Sequence, residues 1–263
     1  MASIIVPVRN GETYLGRALD SVIEAAGNCS YEVIVQDSLS TDGTPGIASG
    51  HPGNMMYVRE RDAGQSDGLN RGLSKAKGEI VGWLNCDDLY LPGAISTAVE
   101  LFSADSSVDV VYGDFIVIDG ESHVLREYKS SEWSWDRLYR KGNYIFTGAT
   151  FFHQRVFERF GNFSTRYDYV MDLEFFLRVG AGVRAIHSGR AFAAYRYHPG
   201  SKSARRPFQF CREAAQLRRS YLAQSPAGIR GYLAAQAELW LGATTARLRW
   251  SRPYSSIRHR KVL

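Results

Sequence analysis

The sequence predicts an α/β fold with a mostly parallel central sheet, and three observations predict it. Short apolar runs alternate with amphipathic helical stretches through roughly the first hundred residues, the β-α-β-α order that builds a parallel sheet. One of these runs, Glu79–Leu84, is short and continuously apolar, as expected of a strand covered on both faces. It ends in Asn85-Cys86-Asp87-Asp88, and open α/β sheets bind ligands beyond the carboxyl ends of their strands.

Taken in order, Ser3–Val8 reads as a buried strand, and Arg9-Asn10-Gly11-Glu12 turns out of it. Tyr14–Ala26 reads as an amphipathic helix, with Leu15, Leu19, Val22 and Ile23 on one face. Glu32–Gln36 is a second strand, followed by a loop, Asp37–Thr44, rich in helix-capping residues. Met55–Arg59 is a third strand. Asp62–Asp67 is a polar loop, and Gly68–Lys77 has the composition of an exposed helix leading into the strand at Glu79–Leu84. Beyond the acidic pair, Gly93–Phe102 is a helix and Val108–Tyr112 a strand closed by Gly113-Asp114. Phe115–Glu127 reads as a hairpin turning at Asp119-Gly120. Ala149–Phe152 is a strand, Arg155–Phe160 a short helix, Asp172–Gly180 a helix, and Val183–Ile186 and Ala191–Tyr197 two further strands. From Pro207 the pattern is helical to about Arg249.

Composition bounds the class. Hydrophobic residues make up 44% of the 263 and charged residues 22%, an ordinary globular balance. A strand pattern begins at Ile4 with no basic n-region and apolar h-region before it, so no signal peptide is expected. No apolar run reaches the roughly 18 residues of a membrane span. Three cysteines without metal-ligand spacing imply free thiols in a reducing, cytoplasmic setting. The net charge of +5 hides an asymmetry, because residues 204–263 carry twelve Lys/Arg against two Asp/Glu, or +10. A basic segment points to phosphates, of nucleic acid or anionic lipid. No nucleic-acid reading motif accompanies it, so nucleic acid is not the expected partner.

Adjacent carboxylates at a strand end suit a divalent ion on a substrate diphosphate. A further carboxylate at the mouth of the cleft could take a proton from an attacking hydroxyl. Both also have plain structural readings. Asp87 and Asp88 could be a solvated turn, Asp37 an N-cap, and Asp172 a helix-dipole partner. Trp133 and Trp135 could pack in the core or stack on a sugar face, and Cys86 reads as a small packed residue. The first strand is followed by RNGE and not by G-x-G-x-x-G, which disfavours a dinucleotide fold.

SIIVPVRNGETYL, EVIVQDSLSTDGT, DAGQSDGLNRGLSKAKGEIVGWLNCDD, MDLEFFLRV and YRYHPGSKS follow one another in this chain. In that order they resemble the family 2 inverting glycosyltransferases, from about Ser3 to Ser203. The resemblance implies a GT-A fold over residues 1–204. Residues 1–114 would bind a nucleotide-sugar, 115–204 an acceptor, and 205–263 would form a basic helical extension. It implies that Pro7, Arg9, Asn10 and Glu12 contact the base, that Asp37 reads base or ribose, and that Asp62, Ser66 and Asn70 belong to the donor site. Asn85-Cys86-Asp87 occupies the Asp-x-Asp position, with Asn85 a departure that leaves a neutral oxygen. The resemblance makes Asp87, Asp88 and His198 the ligands of Mn²⁺ or Mg²⁺ and Asp172 the base. Trp133, Trp135, Gly148 and Glu174 are assigned to the acceptor. The expected partners are a nucleotide-sugar, a UDP-sugar first, and a saccharide or lipid-linked saccharide, in polysaccharide, O-antigen or glycolipid biosynthesis. The tail would attach the chain to the inner face of the cell membrane, or pack on the catalytic domain or a second subunit in a homo-oligomer. A metal-dependent phosphohydrolase and a non-catalytic nucleotide-sugar-binding protein are the alternatives.

Overall fold

β1 (Ala2–Val8) is apolar on both faces, and the layers of the molecule follow from that. Side chains of a strand point alternately to opposite sides. Ala2, Ile4, Val6 and Val8 enter one core cluster, while Ile5 enters another. α1 (Leu15–Ala26) and α4 (Ala94–Ala104) close the first cluster through Leu15, Leu19, Val22, Ile95 and Phe102. The second is closed by Leu69 and Leu73 of α3 (Gln65–Leu73) and by the nearly all-apolar α7 (Met171–Val179). The computed structural model describes residues 1–198, 200–202, 207–225, 228–237 and 262.

The sheet begins with β2 (Tyr31–Asp37) beside β1, β3 (Met55–Arg59) beside β2, and β4 (Ile80–Trp83) on the far side of β1, all parallel. Beyond β4 it becomes mixed. β8 (Thr150–His153) runs antiparallel to both β4 and β6 (Val110–Ile118), and β9 (Ala185–Arg196) runs parallel to β6. β5 (Leu89–Tyr90) pairs with β9, and β7 (Val124–Tyr128) with the distal half of β6, both antiparallel. α2 (Thr44–Gly50), α5 (Trp135–Lys141), α6 (Arg155–Phe160) and α8 (Pro207–Ser220) are further helices, and residues 228–237 are helical as well.

Several boundaries depart from the sequence reading. The helix expected at Gly68 starts at Gln65 and is not an exposed one: Gly68, Leu69, Gly72 and Leu73 are buried. Gly72 lets it lie against β1, since a Cβ there would stand 2.4 Å from Ile5 Cγ2. The strand expected to close at Tyr112 continues to Ile118 through irregular register at 112–115. The two strands expected at 183–197 form one, β9. The charge boundary near 204 is not a packing boundary. Ala214 and Leu217 of α8 enter the second core cluster, and Glu213 Oε2 accepts from the backbone N–H of Asp168 and Tyr169 at 2.9 and 2.7 Å. The apolar residues expected to mark the distal tail, Leu239, Trp240, Leu241, Leu248 and Trp250, and the basic Arg247, Arg249, Arg252 and Arg258, lie outside the described residues.

β4 crosses the centre of the molecule, where Gly82 has no room for a side chain. A Cβ would meet Tyr90 Oη at 2.7 Å, Ile4 Cδ1 at 2.8 Å and Phe151 Cε1 at 2.9 Å. Overpacking a rigid core costs about 1–3 kcal/mol. Gly82→Ala is therefore expected to lower the unfolding free energy by about that amount, read as a lower urea midpoint with an unchanged slope.

Candidate active site

A cleft of about 1030 Å³ opens at the carboxyl ends of β1 and β4. Pro7 and Arg9 from the end of β1, Ser38 after β2, Asp62–Gln65 before α3, and Asn85-Cys86-Asp87 after β4 line one side. Asn143, Thr147, Asp172, Tyr195 and Lys202 are among the residues of the opposite side.

Other residues expected to touch the donor build the wall behind this surface. Asn10 has φ 54°, a left-handed conformation that Asn tolerates. Its Oδ1 accepts from Thr41 N–H at 2.9 Å, and its N–H donates to Ser40 Oγ at 2.8 Å. Glu12 Oε2 accepts from Gly43 N–H at 2.7 Å. Asp37 is fully buried, with Oδ1 taking Ser40 N–H and Oγ–H at 2.9 and 2.5 Å and Oδ2 taking Tyr57 Oη–H at 2.7 Å. These bonds fasten the 9–12 turn to the 37–44 loop. Asn10, Glu12 and Asp37 are thus outside the cleft lining, as their hydrogen bonds are spent on backbone and neighbouring side chains. Ser66 and Asn70, also expected at the donor site, are likewise not among the cleft-lining residues. Ser66 Oγ–H points to Met171 Sδ at 3.1 Å, and both amide atoms of Asn70 bond the backbone of Phe163, at 2.8 and 3.0 Å. Asp62 does line the cleft, its Oδ1 accepting from Ser38 Oγ–H at 2.8 Å and Gly64 N–H at 3.0 Å.

The acidic stretch divides sharply. Asp87 lines the cleft, and its Oδ2 is 3.0 Å from His198 Nε2. Asp88 is fully buried and faces away. Its Oδ1 accepts from Arg196 N–H at 2.8 Å and its Oδ2 from Asn85 Nδ2–H at 2.8 Å. Burial, with Asp87 beside it, pushes the Asp88 carboxyl well above its ordinary range. Asn85 Oδ1 is likewise occupied, by Trp83 Nε1–H at 2.9 Å and Gln65 Nε2–H at 2.8 Å. The expected ligand Asp88 is therefore spent on positioning the loop, as is the donor-site Asn85, which leaves Asp87 at the cleft with His198 beside it. Among the described residues no group of three or more His, Cys, Asp or Glu forms a ready cage. That donor set suits Mg²⁺ or Mn²⁺, which are held through one or two protein groups with substrate phosphates and water completing the shell. The thiol of Cys86 is pushed upward by burial and stays protonated.

Asp172 stands in the first turn of α7, whose apolar residues fix its direction. It is half-buried. Oδ1 accepts from Leu173 N–H at 2.8 Å and Oδ2 from Thr147 Oγ1–H at 3.3 Å, with the Asn143 side chain a third partner. Burial raises its carboxyl above the ordinary value of 3.8, against those hydrogen bonds. A carboxylate held up in this way is a better proton acceptor near neutrality.

The four expected acceptor residues lie elsewhere. Trp133 Nε1–H bonds Gly180 O at 2.9 Å and Trp135 Nε1–H bonds Leu177 O at 3.0 Å, so both indoles pack against α7. Glu174 holds Arg178 at 2.8 Å, one turn along the same helix. Gly148 is buried beneath Phe146, whose ring would stand 2.6 Å from a Cβ there. All four serve the packing that carries Asp172.

Sequence reasoning missed four residues. Arg196 is fully buried, its Nε–H donating to Asp87 O at 2.8 Å and its Nη1–H to Asp119 O and Ser122 Oγ at 2.9 and 3.0 Å. Lys202 reaches across the cleft mouth to Asp168 Oδ1 at 2.5 Å and Gln65 Oε1 at 3.3 Å. Thr147 and Asn143 hold Asp172. The signal for Arg196 and Lys202 was their place in YRYHPGSKS, around His198. Thr147 and Asn143 sit in an irregular stretch with no periodicity to single them out.

This fold and cleft define a sugar-transfer scaffold of the GT-A type, and the comparisons with known proteins agree. Residues 3–164 match the family model described as glycosyl transferase family 2. A glycosyltransferase of PGL/p-HBAD biosynthesis from Mycobacterium bovis is 30% identical over 190 residues, 68% of this chain and 69% of its own. The chain belongs to glycosyl transferase family 2. A glycosyltransferase of Rickettsia typhi, RT0329, is 36% identical over 126 residues, a match spanning 48% of this chain and only 39% of that relative. The chain thus matches less than half the length of that relative. Among solved structures, S. aureus TarS 1-349 in complex with UDP-GlcNAc superposes with a TM-score of 0.67 at 18% identity, over 93% of this chain and 72% of that one. The mannosyltransferase PcManGT of Pyrobaculum calidifontis, in complex with GDP-Man and Mn²⁺, gives 0.64 at 23% identity, over 100% and 76%.

Since Asp172 has its folded-state value raised, its contribution to stability is complete below the unfolded value of 3.8. It is lost as pH rises through the higher folded value. Asp172→Asn removes that loss. The variant is expected to be more stable than the wild type at about pH 7 and to lose the advantage at about pH 3, as read from denaturant midpoints at the two values.

Proposed function

We propose that the chain transfers a sugar from a nucleotide-sugar to an acceptor hydroxyl with inversion at the anomeric carbon. One observation carries this reading: Asp87, paired with His198, and Asp172, held with a raised pKa, line the same cleft. The nucleotide would lie along Pro7, Arg9, Ser38 and Asp62. The acceptor oxygen attacks the anomeric carbon while its proton passes to an Asp172 carboxylate oxygen, and the bond from that carbon to the diphosphate oxygen breaks. One base and one displacement invert the centre, and no enzymic nucleophile is needed. Asp87 and His198 would hold Mn²⁺ or Mg²⁺, which when bound supplies Lewis-acid neutralisation of the leaving diphosphate. Arg9 and Lys202 add positive charge to the same cleft. A UDP-sugar is the first donor to try, given the UDP-GlcNAc complex of the structural relative. A saccharide or lipid-linked saccharide of polysaccharide, O-antigen or glycolipid biosynthesis is the acceptor class that the family suggests.

Asp172→Asn is expected to bind donor as the wild type does and to turn over on the order of 10²–10⁴-fold more slowly. The wild-type kcat should fall on the acid side through a pKa above 3.8. Asp87→Ala is expected to lose Mn²⁺-dependent donor affinity in calorimetry. Wild-type turnover in Asp172→Asn would remove the base assignment. Hydrolysis of the nucleotide-sugar at the same rate with and without acceptor would favour the phosphohydrolase.

The basic tail supports a cytoplasmic chain held peripherally at the inner face of the membrane. No helix among the described residues is long and apolar enough to cross a membrane. Residues 204–263 carry +10, and Phe208, Ile229 and Leu233 are 63%, 64% and 59% exposed. Basic residues near an anionic surface contribute about 1 kcal/mol each. The chain is expected to float with vesicles containing phosphatidylserine at low salt and to be released at high salt. Removing residues beyond Ser225 should abolish flotation.

A further inference from the structure

The far side of the cleft holds an aromatic surface that the assignments above leave unused. Phe115 and Val117 project from the same face of β6. Tyr128 lies opposite Phe115 in the β6–β7 register, and Tyr195 lies opposite Val117 in the β6–β9 register. All four line the cleft, and Phe146 joins them from the stretch just before Thr147. The alternate residues of the same strands, Ile116, Ile118 and Ala194, are buried on the other face in a small aliphatic cluster. One face of the sheet thus buries aliphatic side chains, and the other lines the cleft with aromatic ones, of which Phe115 and Phe146 also pack against the first core cluster.

The rings are ordered as a platform. Phe115 and Tyr128 stack, their centroids 4.9 Å apart and their planes within 3°, so that each ring covers part of one face of the other. Phe146 sits 5.4 Å from Phe115 and 5.5 Å from Tyr195, tilted against both. Arg126 lies against Tyr128, its Nη1–H donating to Tyr128 Oη at 3.2 Å and its guanidinium over that ring at 5.6 Å. The four aromatic residues are half-buried. At the inner edge, Phe146 is followed by Thr147, whose hydroxyl donates to Asp172.

We propose that this platform, built on the Phe115–Tyr128 pair, is the acceptor subsite, and that its occupant is a pyranose ring. The inference rests on the glycosyltransferase reading and names the acceptor's chemistry. A pyranose presents a face of C–H groups over an edge of hydroxyls. The aromatic surface that Phe115, Tyr128, Phe146 and Tyr195 leave open to the cleft covers the first, while Asn143, Thr147 and the Asp172 carboxylate line the same cleft and can bond the second. An alkyl chain would gain nothing from those polar groups, and the open cleft offers it no tunnel. Tyr and Phe also give a large contact area with few rotatable bonds to freeze. The sugar lies beside the base with one hydroxyl free to reach it.

The test uses the full chain with methyl and n-octyl β-glycosides of glucose, galactose, mannose and N-acetylglucosamine, in the presence of UDP or GDP. Protein aromatic protons are irradiated, and saturation reaching the ligand is read by NMR. Saturation is expected on the pyranose C–H protons of at least one methyl glycoside. Phe115→Leu and Tyr128→Leu are each expected to weaken that glycoside about tenfold, in line with the loss of one aromatic contact. Their affinity for the nucleotide in calorimetry should not change, which also shows that each variant is folded. Saturation confined to the octyl chain, ring saturation unaltered in both variants, or no binding of any glycoside would each overturn the proposal. Failure of the glycosyltransferase reading appears separately, as a wild-type chain that binds neither nucleotide.

Discussion

The buried guanidinium of Arg196 is the interaction on which the site depends. It stands at the end of β9 and reaches into three other parts of the molecule. It bonds the backbone of Asp87, bonds Asp119 and Ser122 in the β6–β7 turn, and lies 4.6 Å from the ring of Tyr14 at the start of α1. Its own N–H meets Asp88. Stranding one member of such a buried ionic network costs about 3–5 kcal/mol. The strand end carrying His198, the loop carrying Asp87 and the hairpin carrying Tyr128 are therefore fixed relative to one another by one side chain.

Asp87 and Asp88 show how that network divides labour. The two are adjacent and chemically identical, yet one opens to the cleft and the other is fully enclosed. Asp88 is tied by Arg196 and Asn85, and Asn85 in turn by Trp83 and Gln65. These bonds aim Asp87 at His198. The first position of the motif, an Asn here, is thereby spent on loop geometry, and the cation chemistry falls to Asp87 and His198 in the proposed mechanism. On the other side of the cleft, α7 buries Leu173, Phe175 and Phe176 and so holds Asp172 in a desolvated position. The burial that raises its pKa is the same burial that anchors the helix.

Much of this was legible beforehand because it is local. The apolar runs became β1, β2, β3 and β4 within a residue or two, since a short apolar run bounded by polar turns is a local signal for a strand. The cleft opens at the carboxyl ends of β1 and β4, and Pro7, Arg9, Asp62, Asn85, Cys86, Asp87 and, from α7, Asp172 are among the residues that line it. The direction of α7 followed from its composition. The joining of two expected strands into β9 was not legible, because Ser188-Gly189, where Gly189 takes φ 71°, reads as a break when the partner strand is unknown.

What the sequence alone determined is the family, the element order and the carboxylates available at the strand ends. Tertiary structure alone decided which of those groups reach the cleft. Asp37, Ser66, Asn70 and Asp88 have the residue types of a binding site, and each is consumed by a partner between 3 and 108 positions away. Trp133 and Trp135 looked like the sugar-facing aromatics, but their indole N–H groups are claimed by carbonyls at the end of α7. The rings that do face the cleft come from strands whose alternation carries no label for which side is out. That label is the register of β6 with β7 and β9. A shift of one residue would exchange Phe115 and Val117 for Ile116 and Ile118. Register is set by non-local pairing and by the irregular step at 112–115, and so only the folded chain holds it.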